Sequence, residues 1–114
     1  MLLGTSITLP NGLRVRLRLP QGGDRPGLLA LHAAAGLELD DMALRRLMRV
    51  DPRRRAAICA AAWTGAGEQI VGFAAADLGS EPDVIVSDED TAPGLCAILA
   101  AALAERGALV RDVA

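Results

Sequence analysis

Residues 84–99 read Val-Ile-Val-Ser-Asp-Glu-Asp-Thr-Ala-Pro-Gly-Leu-Cys-Ala-Ile-Leu, and this stretch decides the fold. Its three β-branched residues predict a short buried strand over 83–87. The acidic loop Asp88-Glu89-Asp90-Thr91-Ala92-Pro93-Gly94 follows. Beyond it, the alanine-rich run 95–106 places Leu95, Ile98, Leu99 and Leu103 on one helical stripe. Gly107 reads as the helix C-cap, and residues 108–113 as the start of another strand. A strand that passes through a glycine-containing loop into a helix turns backbone N–H groups toward an anion.

Working outward, residues 69–76 carry β-branched and aromatic side chains and predict a strand, while the apolar run 56–63 is ambiguous between helix and buried strand. The turn signal at 64–68 favours a hairpin with arms of about eight residues. Further upstream, residues 6–19 hold two β-like runs around Asn11-Gly12. The second run alternates strictly: Leu13, Val15, Leu17 and Leu19 on one face, Arg14, Arg16 and Arg18 on the other. That pattern predicts an antiparallel strand with a solvated basic outer face.

Between the hairpins, Asp24 reads as an N-cap, with Pro26 in the first turn and Gly36 as the C-cap of a first helix. His32 is expected to be partly exposed on it. Asp40 or Asp41 caps a second helix that carries Met42, Leu44, Leu47, Met48 and Val50 at helical spacing and ends before Pro52. The run Arg53-Arg54-Arg55 reads as a solvated loop. The element order is therefore β-β-α-α-β-β-β-α-β, one α/β (α+β) unit over residues 1–114.

Composition narrows the function classes. The chain has 114 residues, 52% hydrophobic, 2% aromatic and 23% charged, with net charge −2. All twelve basic residues are arginine, Trp63 and Phe73 are the only aromatic rings apart from the single histidine, and alanine fills 22 positions. A slightly acidic chain without aromatic platforms does not read as a nucleic-acid binder. No apolar run approaches the roughly 18 residues of a membrane span, and the N-terminus lacks a basic signal-peptide region. Cys59 and Cys96 lie in apolar surroundings and read as buried free thiols, which points to the cytoplasm. One histidine, two separated cysteines and a loop of adjacent acids give no metal-ligand spacing.

The stretch 84–103 resembles the acetyl-CoA motif of the GNAT (Gcn5-related N-acetyltransferase) superfamily, in which a V-x-D strand leads through Gln/Arg-x-x-Gly-x-Gly/Ala into a long helix. Val86 and Asp88 match the strand end, Thr91 stands at the Gln/Arg place, Gly94 at the first glycine and Cys96 at the second small position. The order of elements across residues 5–113 follows the same family. The resemblance implies a GNAT-like, mainly antiparallel sheet flanked by helices, C-terminally short against the family pattern. It implies acetyl-CoA as cofactor, with pantetheine against Val84, Ile85 and Val86 and the diphosphate near Thr91, Gly94, Leu95, Cys96 and Ala97. A general base would then be Glu81 or Asp77, and the acceptor an amine on a small molecule or a protein. Thr91, Pro93, Cys96 and the acidic loop all depart from the motif.

Two functions follow. One is an acetyl-CoA-dependent N-acyltransferase. The other is a catalytically inactive GNAT-like binding or assembly module, a homo-oligomer such as a dimer joined through an open sheet edge at residues 109–113.

Overall fold

Period-two alternation in residues 13–19 builds the first edge of the sheet. The computed structural model describes residues 4–49, 54–65, 67–77 and 81–113. In it, β1 (Ser6–Thr8) and β2 (Arg14–Arg18) pair antiparallel, Val15 and Leu17 are buried, and Arg14 and Arg16 face solvent. The turn between them closes with Gly12 N–H donating to the Leu9 carbonyl at 2.8 Å. Val50, Pro52, Arg53, Ala66, residues 78–80 and Ala114, which enter several sequence expectations, lie outside the described residues.

A five-stranded antiparallel sheet runs in sequence order, with β3 (Arg55–Thr64), β4 (Gly67–Asp77) and β5 (Asp83–Val86) completing it. The ambiguous run 56–63 is therefore strand, and its arms are longer than expected because pairing continues from Arg55↔Asp77 to Thr64↔Gly67. α1 (Arg25–Ala34) and α2 (Asp41–Met48) cover one face, and α3 (Leu95–Val113) covers the other. On the α3 face Leu95, Leu99 and Leu103 pack on Val15, Leu17, Ile58 and Val71. On the opposite face Leu28, Leu31 and Leu44 pack on Cys59, Ile70 and Phe73. Alanine in the middle of β3 and β4 lets both helical layers approach closely, so small side chains still make a core.

One register shift positions the helix of interest. Ala60 pairs with Gly72 and Ala61 with Ile70, which leaves Val71 as an extra residue on β4. This bulge turns both Val71 and Gly72 toward α3. A Cβ on Gly72 would come within 2.7 Å of Leu99 Cδ1 and 3.0 Å of Leu95 Cδ2. Glycine is what permits the N-terminal turns of α3 to lie against the sheet at this point.

Several expectations are corrected. The final strand over 108–113 does not form; α3 continues through Gly107 to Val113. A glycine inside a helix costs only about 1 kcal/mol relative to alanine, and the residues around it are mostly good helix formers. The edge strands are β1 and β5, so the edge on the C-terminal side is β5, not residues 109–113. Cys59 is buried as expected, but Cys96 is exposed, because it lies about 100° around the helix from the packed Leu95–Leu99 stripe. His32 is not partly exposed but buried, four residues after Leu28 on the inward stripe of α1.

Asp24 occupies the N-cap position of α1 without making a cap bond. Its carboxylate instead accepts both guanidinium nitrogens of Arg18, at 2.6 and 2.7 Å, and the Gln21 amide at 2.7 Å. A bidentate, charge-assisted pair is stronger than a neutral amide cap, and it takes the carboxylate. α2 does begin with a true cap, Asp40 accepting from the Ala43 amide at 2.7 Å.

Candidate functional site

Strand β5 carries Val84, Ile85 and Val86, the first three of the residues expected to hold a cofactor. It pairs with β4 in the register Gly72↔Val86, Phe73↔Ile85, Ala74↔Val84 and Ala75↔Asp83, and the Ser87 amide extends this by donating to Val71 O at 2.8 Å. In an antiparallel ladder, directly opposed residues alternate between bonded and non-bonded pairs. The bonded pairs are therefore those of Asp83, Ile85 and Ser87. The amide and carbonyl groups of Val84 and Val86 point away from β4, along the open edge. Their side chains pack toward α3, whereas Ile85 packs toward α1 and α2.

The loop after β5 is held from three directions. Asp88 Oδ1 accepts from the Thr91 amide at 2.7 Å, and hydrogen bonds from Thr91 hold the Asp88 carboxyl below the usual carboxylate range. Glu89 Oε1 accepts from the Gly94 amide at 2.9 Å. From across the fold, Asn11 Nδ2 donates to the carbonyls of Asp90 and Thr91 at 3.2 and 3.0 Å. Gly94 has φ +77°, a left-handed turn that glycine adopts without strain, and the chain then enters α3.

Within this frame the expected cofactor residues divide. Thr91, Gly94, Cys96 and Ala97 are exposed around the start of α3 and could meet a ligand, whereas Leu95 is fully buried and its side chain belongs to the core. The amides of Thr91 and Gly94 already serve acidic side chains of the same loop. An incoming diphosphate would have to displace Glu89 to reach Gly94, and would meet Asp88, Glu89 and Asp90 on the way.

Among the described residues, clefts open on the α1–α2 face on either side of α1. The first, of 590 Å³, lies at the C-terminal end of β5 and is lined by Asp24, Gly27, Glu68, Ile70, Ser87, Asp88 and Thr91, among others. Arg18 bridges two of its acids, Asp24 and Glu68. The Arg18 guanidinium holds the Asp24 carboxyl below the usual range, and the two carboxylates in turn push the Arg18 pKa up. The second cleft, also 590 Å³, lies beside the first half of β5 between Leu39, Leu47, Phe73, Val84 and Ile85, with His32, Arg46 and Asp83 as its charged or titratable groups.

The two expected bases stand elsewhere. Asp77 is exposed at the end of β4 and paired with Arg55 at 3.2 Å, and Glu81 is exposed just before β5. Neither lines either cleft. The titratable groups that do line them, Asp24, Glu68, Asp88, His32, Arg46 and Asp83, are not the bases expected from the sequence. For His32 a signal existed in its four-residue spacing from Leu28. Among the described residues no cluster of His, Cys, Asp or Glu could hold a metal ion, and no helix is long and apolar enough to cross a membrane.

No protein-family model matches the sequence, and no curated protein matches it significantly. Among solved structures, the chain is similar to the GNAT domain of a PAT protein from S. lividans, at a TM-score of 0.61 and 18% identity. That similarity spans 95% of this chain and 72% of the other. With the bulged β4, the open β5 edge and α3 packed behind them, the chain has a GNAT-like fold.

Proposed function

We propose that this protein is an acetyl-CoA-dependent N-acyltransferase whose cofactor lies along the open edge of β5. The observation that carries the reading is the outward row of main-chain groups on Val84 and Val86, at the edge of a GNAT-like sheet and just before the α3 N-terminus. Pantetheine contains two amides, and an extended amide chain can pair with a strand edge as another strand would. The thioester would then lie near Val84 and Ile85, at the mouth of the second cleft. The acceptor is an amine, on a small molecule or a protein. The unpaired thiols and the acetyl-CoA donor fit a cytoplasmic setting.

The internal bonds of the acidic loop favour a second reading. With the Gly94 and Thr91 amides taken by Glu89 and Asp88, the loop offers a diphosphate little, and the same open edge would suit pairing with β5 of a second copy.

Titration of acetyl-CoA while following thermal unfolding separates the two. A ligand that binds only the folded state at 100 times its Kd stabilises it by about 2.7 kcal/mol. The acyltransferase reading requires such a rise at millimolar acetyl-CoA, with unchanged sedimentation. A flat response together with a concentration-dependent dimer would overturn it in favour of assembly.

A further inference from the structure

His32 is the single histidine of the chain, and its side chain is only 3% exposed. Its Nδ1 lies 2.8 Å from the carbonyl oxygen of Leu28, one turn back along α1. A carbonyl can only accept, so Nδ1 carries the proton and donates. In the tautomer that makes this bond the lone pair is on Nε2. The Phe73 ring, tilted at 57° with centroids 6.1 Å apart, packs beside the imidazole and helps fix its plane.

Nε2 is the informative atom. It has no protein partner among the described residues, yet no side-chain nitrogen or oxygen there is sealed from solvent without one. His32 lines the second cleft, and the unsealed Nε2 is its ring nitrogen left to meet a ligand there. His32 presents an acceptor nitrogen in a cleft otherwise lined largely by apolar side chains, Leu39, Leu47, Phe73 and Ile85 among them. Asp83 and Arg46 supply the charges on its walls. An acceptor nitrogen held by a second-atom hydrogen bond, in an apolar cavity with a carboxylate nearby, suits a ligand with an apolar body and a cationic N–H donor.

We propose that this cleft binds a primary amine carrying an apolar alkyl or aryl group, and that His32 Nε2 accepts its proton. The transfer step rests on the acetyl-CoA reading above; the binding of the amine does not. The amine enters as its ammonium ion and passes one proton to Nε2. Its freed lone pair attacks the thioester carbonyl carbon beside Val84, and the new C–N bond forms. The C–S bond breaks, the second proton from nitrogen ends on the departing CoA thiolate, and the imidazolium returns its proton to solvent. Amide and free CoA thiol are the products.

Because the protein has one histidine, its imidazole nitrogens give one pair of signals in a long-range ¹H–¹⁵N spectrum. The free protein should show a protonated Nδ1 and an unprotonated Nε2. Phenethylamine should shift the Nε2 signal saturably, while 3-phenylpropionate, which has a similar apolar body and no N–H, should not. His32→Asn keeps a donor for the Leu28 carbonyl and removes Nε2. It should bind phenethylamine at least tenfold more weakly, leave acetyl-CoA binding unchanged, and slow acetylation of phenethylamine by about 10²-fold or more. A protonated Nε2 in the free protein, no Nε2 response at 10 mM phenethylamine (a limit set by roughly the −2.7 kcal/mol such a Kd represents), or unchanged amine affinity in His32→Asn would each overturn the proposal. Should the variant not fold, the wild-type spectra decide alone. Amine binding without any acetyl-CoA binding would leave the cleft assignment standing and remove only the transfer step.

Discussion

Replacing Gly72 by alanine tests how the bulge, β5 and α3 depend on one another. The added Cβ would lie 2.7 Å from Leu99 Cδ1, 3.0 Å from Leu95 Cδ2 and 3.4 Å from Ala60 Cβ. Carbon atoms prefer about 3.5–4.0 Å, so both leucines must move. Each is fully buried, which leaves their methyl groups nowhere to go without displacing α3 itself. Overpacking of this kind costs about 1–3 kcal/mol, and the lower entropy of the unfolded alanine chain returns about 0.4–1 kcal/mol. The net expectation is a loss of about 1–2 kcal/mol, lowering Tm by roughly 4–10 °C in a domain of this size. Urea and thermal unfolding measure it, with Gly22→Ala as control, since nothing lies within 4 Å of a Cβ there. Gly72 also faces Val86 across the ladder, so the variant should weaken acetyl-CoA binding as well. Shortening Leu99 to alanine makes room, and in that background Gly72→Ala should cost clearly less. An unchanged or raised Tm for the single variant would refute the close-approach argument.

Other expectations concern charge and thiols. Glu89→Ala frees the Gly94 amide and removes a negative charge from the α3 N-terminus, so acetyl-CoA should bind about 3–10 times more tightly by calorimetry, in line with one hydrogen bond. Asp24 has its folded pKa depressed by Arg18, so its contribution to stability is present above the unfolded value of about 4 and is lost as pH falls through the folded one. Denaturant midpoints should therefore fall more steeply below pH 4 in the native protein than in Asp24→Asn. Thiol labelling should be biphasic: Cys96 reacts in the folded protein, while Cys59, buried and with its pKa pushed up to about 12, reacts only on unfolding.

The parts of this fold that were legible in the sequence are those set by local pattern. The arginine–leucine alternation specified β2, the β-branched run specified β5, and the Asp40-Asp41 pair marked the start of α2. The β4 bulge was not legible, because nothing in Ile70-Val71-Gly72 says which residue will be left unpaired until β3 is laid beside it. The end of α3 was not legible, because Gly107 serves equally as a cap or as a tolerated interior residue. At the site, the residues expected to meet a cofactor are those the motif resemblance implies, and the hydrogen bonds within their loop were not legible. Arg18, Asp24 and Glu68 meet through a fold that separates Arg18 and Glu68 by 50 residues, and the loop's own acids turn out to occupy its amides. His32 is buried because it shares the Leu28 stripe of α1.

Amide hydrogen exchange at β5, residue by residue, with and without acetyl-CoA, tests whether the cofactor lies along this edge. Val84 and Val86 point to the open edge and should exchange fast in the free protein, while Ile85, bonded to β4, exchanges slowly. Acetyl-CoA at millimolar concentration should protect Val84 and Val86 and leave the pattern at Ile85 unchanged. If both valine amides exchange at the same rate with and without it, the β5 edge is not the cofactor site.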